Sequence, residues 1–161
     1  MLDELARIQD KFSLVYILGS WYGNLSLYMK LSPVVRSDKI INVETDPGFV
    51  AQSRRMLDHI GAKNVQHMIK DANDIDYRQL EPDGVIINTS LTDMPGRDWF
   101  DNIPSGTLVA LQARDHDPGQ KFSGPQDILD KFPMREILYQ GELDLQDPET
   151  SYTRFMVIGR K

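Results

Sequence analysis

The 161-residue chain contains no cysteine, which excludes disulfides, thiolate metal sites and thiol nucleophiles. It also contains no apolar run that approaches the roughly 18 residues needed to span a bilayer. The first residues, Met-Leu-Asp-Glu-Leu-Ala-Arg, lack the basic and apolar regions of a signal peptide. From these absences we expect a soluble, cytoplasmic protein without a membrane partner.

Positive charge is also scarce, because 18 Lys and Arg residues stand against 24 Asp and Glu residues, and the formal net charge is −6. Proteins that bind nucleic acid usually carry a basic surface that displaces counterions from phosphates. The basic residues of this chain are scattered, and the close pairs are Arg54-Arg55 and Arg160-Lys161. The charge therefore disfavours a nucleic-acid partner without excluding one, and it favours a small molecule or a protein. The oligomeric state is left open.

Short apolar runs rich in β-branched residues recur along the chain, and helical patterns separate most of them. The runs lie at residues 14–18, 40–43, 65–69, 84–87, 107–111, 137–143 and 152–158. Such alternation predicts a mostly parallel sheet with crossover helices. No helical pattern separates the last two runs, so they are predicted to form an antiparallel hairpin at one edge. The length predicts a single α/β domain over residues 1–161.

The helical segments carry their own start and stop signals. Asn24 is a candidate N-cap, and Asp46 followed by Pro47 is a strong helix start, with Gly61 as the expected stop. Segment 73–80 predicts at most a short helical turn. Helices are predicted over residues 2–12, 24–32, 47–60, 98–103 and 123–132.

The first apolar run ends in the turn Gly19-Ser-Trp-Tyr-Gly23, and the second ends in Glu44, about 20 residues further on. This is the layout of a nucleotide-binding crossover, in which glycines let the backbone approach the ligand and an acid accepts the ribose hydroxyls. Alternatively, the glycines form only a strand-to-helix turn, and Glu44 is only a solvated strand end. Trp21 and Tyr22 either pack on the sheet edge or line the ligand site.

Over nearly its whole length the chain resembles the class I S-adenosylmethionine-dependent methyltransferases. The segments that match the family by position are the turn 19–23, Val43–Pro47 at the second strand end, Lys70–Ala72 after the third strand, and Asp83–Ser90 around the fourth strand. The resemblance implies a Rossmann-like three-layer sandwich, with a mostly parallel seven-stranded sheet of order 3-2-1-4-5-7-6. The chain departs from the family in lacking the middle glycine of Gly-x-Gly-x-Gly and the insertions that usually build a substrate lid.

The resemblance also implies S-adenosyl-L-methionine as cofactor and methyl transfer as the reaction. In the family the glycine loop holds the methionine portion, the acid after strand 2 holds the ribose, and the acid after strand 3 faces the adenine amino group. The implied cofactor-binding residues are Gly19, Ser20, Trp21, Gly23, Glu44, Asp71, Ala72, Asn88 and Thr89. Alternatively, Asp71 opens an Asx turn, and the Asn88 side chain forms hydrogen bonds with backbone groups of the following loop.

The acceptor is expected above the end of the fourth strand and the loop 112–124. The candidate catalytic residues are therefore Asn88, Asp93, Asp115 and His116. A histidine titrates near the working pH and suits a general base, although loop histidines are usually solvated. The acids beside His116 are too close in sequence for a metal site, so no metal is predicted.

Two alternatives to a methyltransferase remain at this stage. One is a non-catalytic module that keeps the fold but binds a partner or regulates, which the altered glycine loop and the missing lid favour. The other is a nicotinamide-dependent oxidoreductase with the same first crossover, which leaves the antiparallel end of the chain unexplained.

Overall fold

The computed structural model describes residues 1–32, 34–94, 96–115, 122–146 and 151–161. Its helices are α1 (Leu2–Ile8), α2 (Asn24–Leu31), α3 (Pro47–His59), α4 (Asp98–Asp101) and α5 (Pro125–Lys131). Its strands are β1 (Lys11–Leu18), β2 (Arg36–Glu44), β3 (Val65–Ile69), β4 (Val85–Asn88), β5 (Leu108–Arg114), β6 (Glu136–Gln146) and β7 (Ser151–Arg160). Two 3₁₀ turns, Ala72–Asp74 and Tyr77–Gln79, lie between β3 and β4. Within the described residues, no helix is long and apolar enough to cross a membrane.

The seven strands form one sheet with the order β3-β2-β1-β4-β5-β7-β6. Strands β1 to β5 pair in parallel, and β7 pairs antiparallel with both β5 and β6. The predicted α/β architecture, strand order and terminal hairpin are confirmed. Because β1 lies between β2 and β4, the direction of winding reverses there. Such a switch point leaves a crevice at the carboxyl ends of the strands, where α/β folds bind ligands.

Both faces of the sheet are apolar, which explains the continuous apolar runs in the sequence. Successive side chains of a strand point to opposite faces. In β1, Tyr16 and Leu18 join the core on the side of α4 and α5, while Val15 and Ile17 join the core on the side of α1 and α2. The carboxyl end of β1 is therefore held between two packed layers.

Two predicted helix boundaries are wrong. Helix α1 ends at Ile8, and Phe12 lies fully buried in β1. The position of Phe12 continues the apolar stripe of the helix, which is why the sequence suggested a longer helix. Asn24 is the first helical residue rather than the cap, since Gly23 occupies the cap position in a left-handed turn. The predicted cap at Asp46 is confirmed: its Oδ1 accepts from the N–H groups of residues 48 and 49, at 2.6 and 3.3 Å.

A half-buried histidine connects β3 with α3. The Nε2 atom of His67 lies 2.8 Å from Oγ of the buried Ser53. Burial first, and then the positive charge of Arg54, lower the pKa of His67, while Asp58 acts in the opposite direction. The unfolded chain therefore binds a proton at His67 more readily than the folded chain does.

This difference predicts a pH dependence of stability. The free energy of unfolding should fall as the pH is lowered through the ordinary histidine range, from about 7 to below 6, because protonation favours the unfolded state. A His67→Gln variant, which keeps a hydrogen-bonding side chain but cannot titrate, should show a smaller loss over that window. Urea denaturation at a series of pH values measures the free energy of unfolding of the parent and of the variant. An identical pH dependence of that free energy in the two proteins would contradict the prediction.

Candidate functional site

The loop between β1 and α2 (residues 19–23) is held by hydrogen bonds to the ends of β2 and β4. The Ser20 N–H donates to the β2 backbone at 3.0 Å, and the Trp21 N–H donates to Oε2 of Glu44 at 2.9 Å. On the other side, Ser90 Oγ donates to the first carbonyl of the loop at 3.0 Å and accepts from the Trp21 indole N–H at 3.0 Å. The loop thus has one defined position across the switch point.

Trp21 lies where the middle glycine of Gly-x-Gly-x-Gly would stand, and its φ of +49° is in the left-handed region. Among the described residues it is the only non-glycine residue with a positive φ, a conformation that costs a side chain roughly 1–2 kcal/mol. Its indole stacks on Phe49 of α3, with ring centroids 5.2 Å apart. The chain thus keeps the backbone path that a glycine would give, and adds an aromatic surface. Tyr22 packs edge-on against Phe49 at 4.7 Å.

Glu44 ends β2 as a buried carboxylate. Its Oε1 accepts from the N–H groups of Thr45 and Asp46, at 2.8 and 3.1 Å, and its Oε2 accepts from Trp21. The Thr45 hydroxyl also donates to Oε1, at 3.3 Å, so three backbone donors and one hydroxyl orient the carboxylate. Among the described residues Oε2 accepts from Trp21 alone, so its second lone pair can take a hydroxyl donor from a ligand.

A large cavity of about 440 Å³ opens at the carboxyl ends of β1 to β4. We call it the large cavity. Five of the predicted cofactor-binding residues line it, namely Gly19, Trp21, Glu44, Asp71 and Ala72. These residues are far apart in sequence and come together because each follows or ends a neighbouring parallel strand.

Asp71 fits both interpretations that the sequence left open. Its Oδ1 accepts from the Asn73 N–H at 2.8 Å and so caps the first 3₁₀ turn. The same side chain lines the large cavity. The turn therefore fixes the carboxylate at the cavity wall.

Three of the predicted cofactor-binding residues line neither the large cavity nor the second, smaller cavity that is described below. Asn88 is fully buried; its Oδ1 accepts from the Ser90 N–H at 2.8 Å and its Nδ2 lies 3.3 Å from the sulfur of Met94. The alternative role, satisfying loop backbone, is the one observed. The Ser20 side chain is buried within the loop. Gly23 is also buried, and a Cβ built on it would lie 2.1 Å from Ser53 Oγ.

A second cavity of about 180 Å³, here the small cavity, lies beyond Trp21 at the ends of β4 and β5. The residues that border both cavities are Trp21, Ser90 and Asp93. Thr89, which was predicted to bind the cofactor, lines the small cavity but not the large one. Arg154 of β7 also lines it. Sequence reasoning missed Arg154 because β7 runs antiparallel, so its beginning rather than its end lies at this edge.

The remaining candidate bases are placed differently. Asp115 lies in neither of these linings; its Oδ1 accepts from the Thr153 N–H at 3.0 Å, beside a separate surface depression. His116 lies outside the described residues. Of the predicted acids after β4 and β5, Asp93 is therefore the one that borders both the large and the small cavity. Within the described residues, no cluster of His, Asp and Glu suited to a metal ion is found.

Solved structures with the same fold include several methyltransferases. An rRNA methylase from Streptococcus thermophilus matches with a TM-score of 0.67 and 16% identity, over 99% of this chain and 94% of that chain. The YcgJ protein from Bacillus subtilis matches with a TM-score of 0.72 and 11% identity, over 99% of this chain and 97% of that protein. Magnesium protoporphyrin IX methyltransferase from Synechocystis PCC 6803, with bound SAM, matches with a TM-score of 0.66 and 13% identity. The match covers 97% of this chain and 74% of that protein.

No protein-family model matches the sequence, and a search of curated proteins found no match. At these low identities the structural likeness establishes the fold. That fold is the one of the class I S-adenosylmethionine-dependent methyltransferases, so the resemblance seen in the sequence is confirmed at the level of architecture.

The packing at Gly23 gives a stability prediction. Gly23→Ala should lower the free energy of unfolding by about 2–4 kcal/mol, because φ is +73° and the new methyl group meets buried Ser53. Rotating Ser53 away would break its hydrogen bond to His67. Gly61→Ala is the matched control, since φ is +69° and the space is open; it should cost about 1 kcal/mol. Urea denaturation measures both, and equal losses would contradict the packing argument.

Proposed function

We propose that this chain is a cytoplasmic, single-domain S-adenosylmethionine-dependent methyltransferase that acts on a small-molecule or protein acceptor. The observation that carries the proposal is the large cavity, where the loop 19–23, Glu44 and Asp71 converge at the switch point of the sheet. The Synechocystis neighbour, which was solved with bound SAM, supports the same class of ligand.

The charge of the large cavity favours a cationic ligand. Its lining includes four carboxylates, on Glu44, Asp46, Asp71 and Asp93, and one ammonium group, on Lys70. S-adenosylmethionine carries a sulfonium and an amino group against one carboxylate, so its net charge is positive. The pyrophosphate of NAD is negative and would be repelled by the same carboxylates. This argument favours the methyltransferase over the nicotinamide-dependent alternative.

The hydrogen-bonding groups of the cavity also fit an adenosine. Within the described part of the chain, Asp71 uses Oδ1 for its turn and makes no hydrogen bond with Oδ2, so it can accept from an amino group. An adenine ring offers such an amino donor. Glu44 would hold the ribose hydroxyls.

When bound, S-adenosylmethionine supplies a methyl group that its sulfonium has already activated. The residues of the chain then have to position the two reactants and keep water out. Trp21 stands between the two cavities, and its indole face suits a neighbouring cationic group. Asp93 borders both cavities and is our candidate to accept the proton that an amine or hydroxyl acceptor releases.

A second candidate function is a non-catalytic binding module with the same fold. The observation in its favour is Trp21, whose side chain stands where the family has a glycine that lets the backbone approach its ligand. Such a module would bind the nucleoside or a partner without transferring a methyl group.

Calorimetric titration tests the ligand class directly. S-adenosylmethionine and S-adenosylhomocysteine should bind with micromolar dissociation constants, and NAD should give no saturable heat, because of the acidic lining of the large cavity. Tight NAD binding would favour the oxidoreductase. Absence of binding by both sulfur-containing ligands would remove the methyltransferase from consideration.

Asp71→Asn isolates the adenine contact. Asn keeps an oxygen for the turn but replaces the other oxygen with an NH₂ donor, so S-adenosylhomocysteine affinity should fall about 10-fold, equivalent to ~1.4 kcal/mol. Asp76→Asn is the control, because the Oδ1 of Asp76 also caps a 3₁₀ turn and the residue lies outside the large cavity; its carboxylate additionally pairs with the exposed Arg78 side chain. Calorimetry of both variants gives the comparison. An equal loss in both would show that the turns, rather than the adenine contact, set the affinity.

A further inference from the structure

The small cavity contains a guanidinium group that the donor site does not use. Arg154 lies near the start of β7 and is half-buried. Its Nη1 lies 3.4 Å from Gln112 Oε1, a long hydrogen bond, and the guanidinium carbon lies 5.6 Å from the ring centroid of Tyr152. A guanidinium has five N–H donors, so most of its donor capacity remains for a ligand.

Arg154 also lacks an anionic partner in the part of the chain that the structure describes. On the same strand, Arg160 has such a partner, Glu136, at 3.9 Å. The long hydrogen bond to Gln112 and the contact with the Tyr152 ring replace only part of the hydration that a half-buried guanidinium loses, and a bound anion would replace more of it. The contrast singles out Arg154 as the arginine of β7 whose position is explained poorly by the fold itself.

The cross-strand neighbour of Arg154 is another arginine. In the antiparallel register of β5 and β7, Arg154 stands directly opposite Arg114, and both line the small cavity. Like charges in this arrangement destabilise a sheet. Asp93 lines the same cavity, so the charged lining residues are two guanidiniums and one carboxylate.

We propose that Arg154 binds a carboxylate or phosphate group of a small-molecule acceptor in the small cavity. The planar guanidinium matches both groups through two parallel N–H···O bonds. The hydroxyl groups of Thr89 and Thr92, which also line the cavity, add further donors. The identification of the anion as part of an acceptor rests on the proposed methyltransferase function.

The size and position of the cavity support a small acceptor. Its volume of about 180 Å³ is below the roughly 300–1,000 Å³ of sites that enclose whole drug-sized ligands, so it admits a small anionic group. It adjoins the large cavity through Trp21, Ser90 and Asp93. An acceptor anchored by Arg154 would therefore present its reactive end next to the donor site and to Asp93.

Nuclear magnetic resonance of the arginine side chains tests this binding on the full chain. Inorganic phosphate and, separately, acetate are titrated at constant ionic strength, with and without S-adenosylhomocysteine, while the Nε–H signals are followed. We expect a saturable shift of the Arg154 signal, and the stronger of the two anions identifies the preferred group. The shifts at the small cavity should be lost in Arg154→Gln and retained in Arg160→Gln, since Arg160 lies outside that cavity.

Two results would overturn the inference. The first is an Arg154 shift that never saturates or is no larger than that of Arg160, which would mean general ionic association. The second is a drop of more than 10-fold in S-adenosylmethionine affinity in Arg154→Gln, with 5′-methylthioadenosine affinity unchanged. That pattern would assign Arg154 to the carboxylate of the donor instead of to the acceptor.

The same measurements separate this inference from the proposed function. If the parent binds neither S-adenosylmethionine nor S-adenosylhomocysteine but Arg154 still binds phosphate or acetate saturably, the methyltransferase proposal fails and the anion site stands without its acceptor. If the sulfur-containing ligands bind and Arg154 responds to neither anion, the acceptor inference alone fails.

Discussion

The carboxylate of Glu44 connects the parts of the molecule that form its site. It accepts the N–H of Trp21 in the β1–α2 loop and the N–H groups of Thr45 and Asp46 just before α3. A buried carboxylate that loses such donors pays a large desolvation cost, so the loop and the start of α3 hold each other in place. The left-handed backbone of Trp21 persists because this bond and the indole contacts fix it.

Most of the fold was predictable because the sheet is buried on both faces. Residues between two apolar layers are mostly apolar, so segments such as residues 85–87 of β4 are visible in the sequence as continuous runs. Boundaries were less predictable. Phe12 satisfies the spacing of a helix stripe as well as the alternation of β1, and only the packed core decides between them. Asn24 has the chemistry of a cap, but the turn at Gly23 placed it one residue too late.

The lining of the large cavity was predictable for a geometric reason, and that of the small cavity was not. Glu44 and Asp71 terminate or follow neighbouring parallel strands, so strand order alone brings them to one cavity. Asn88 also ends a strand, but its side chain bonds to the Ser90 N–H and belongs to the lining of neither cavity. Arg154 belongs to the antiparallel strand β7. The rule that ligands bind at the carboxyl ends of strands holds for parallel strands, and in β7 it is the amino end that lies at this edge of the sheet.

The position of β7 between β5 and β6 sets an order for assembly on the ribosome. The large cavity takes its lining from residues 19 to 99, so all of its parts are synthesised in the first two thirds of the chain. The small cavity needs Arg154, and β6 pairs with β7 within the described sheet. Until the last strand emerges, the edge of β5 and the whole of β6 lack their partner. The last residue of the small cavity is therefore synthesised well after the whole lining of the large cavity.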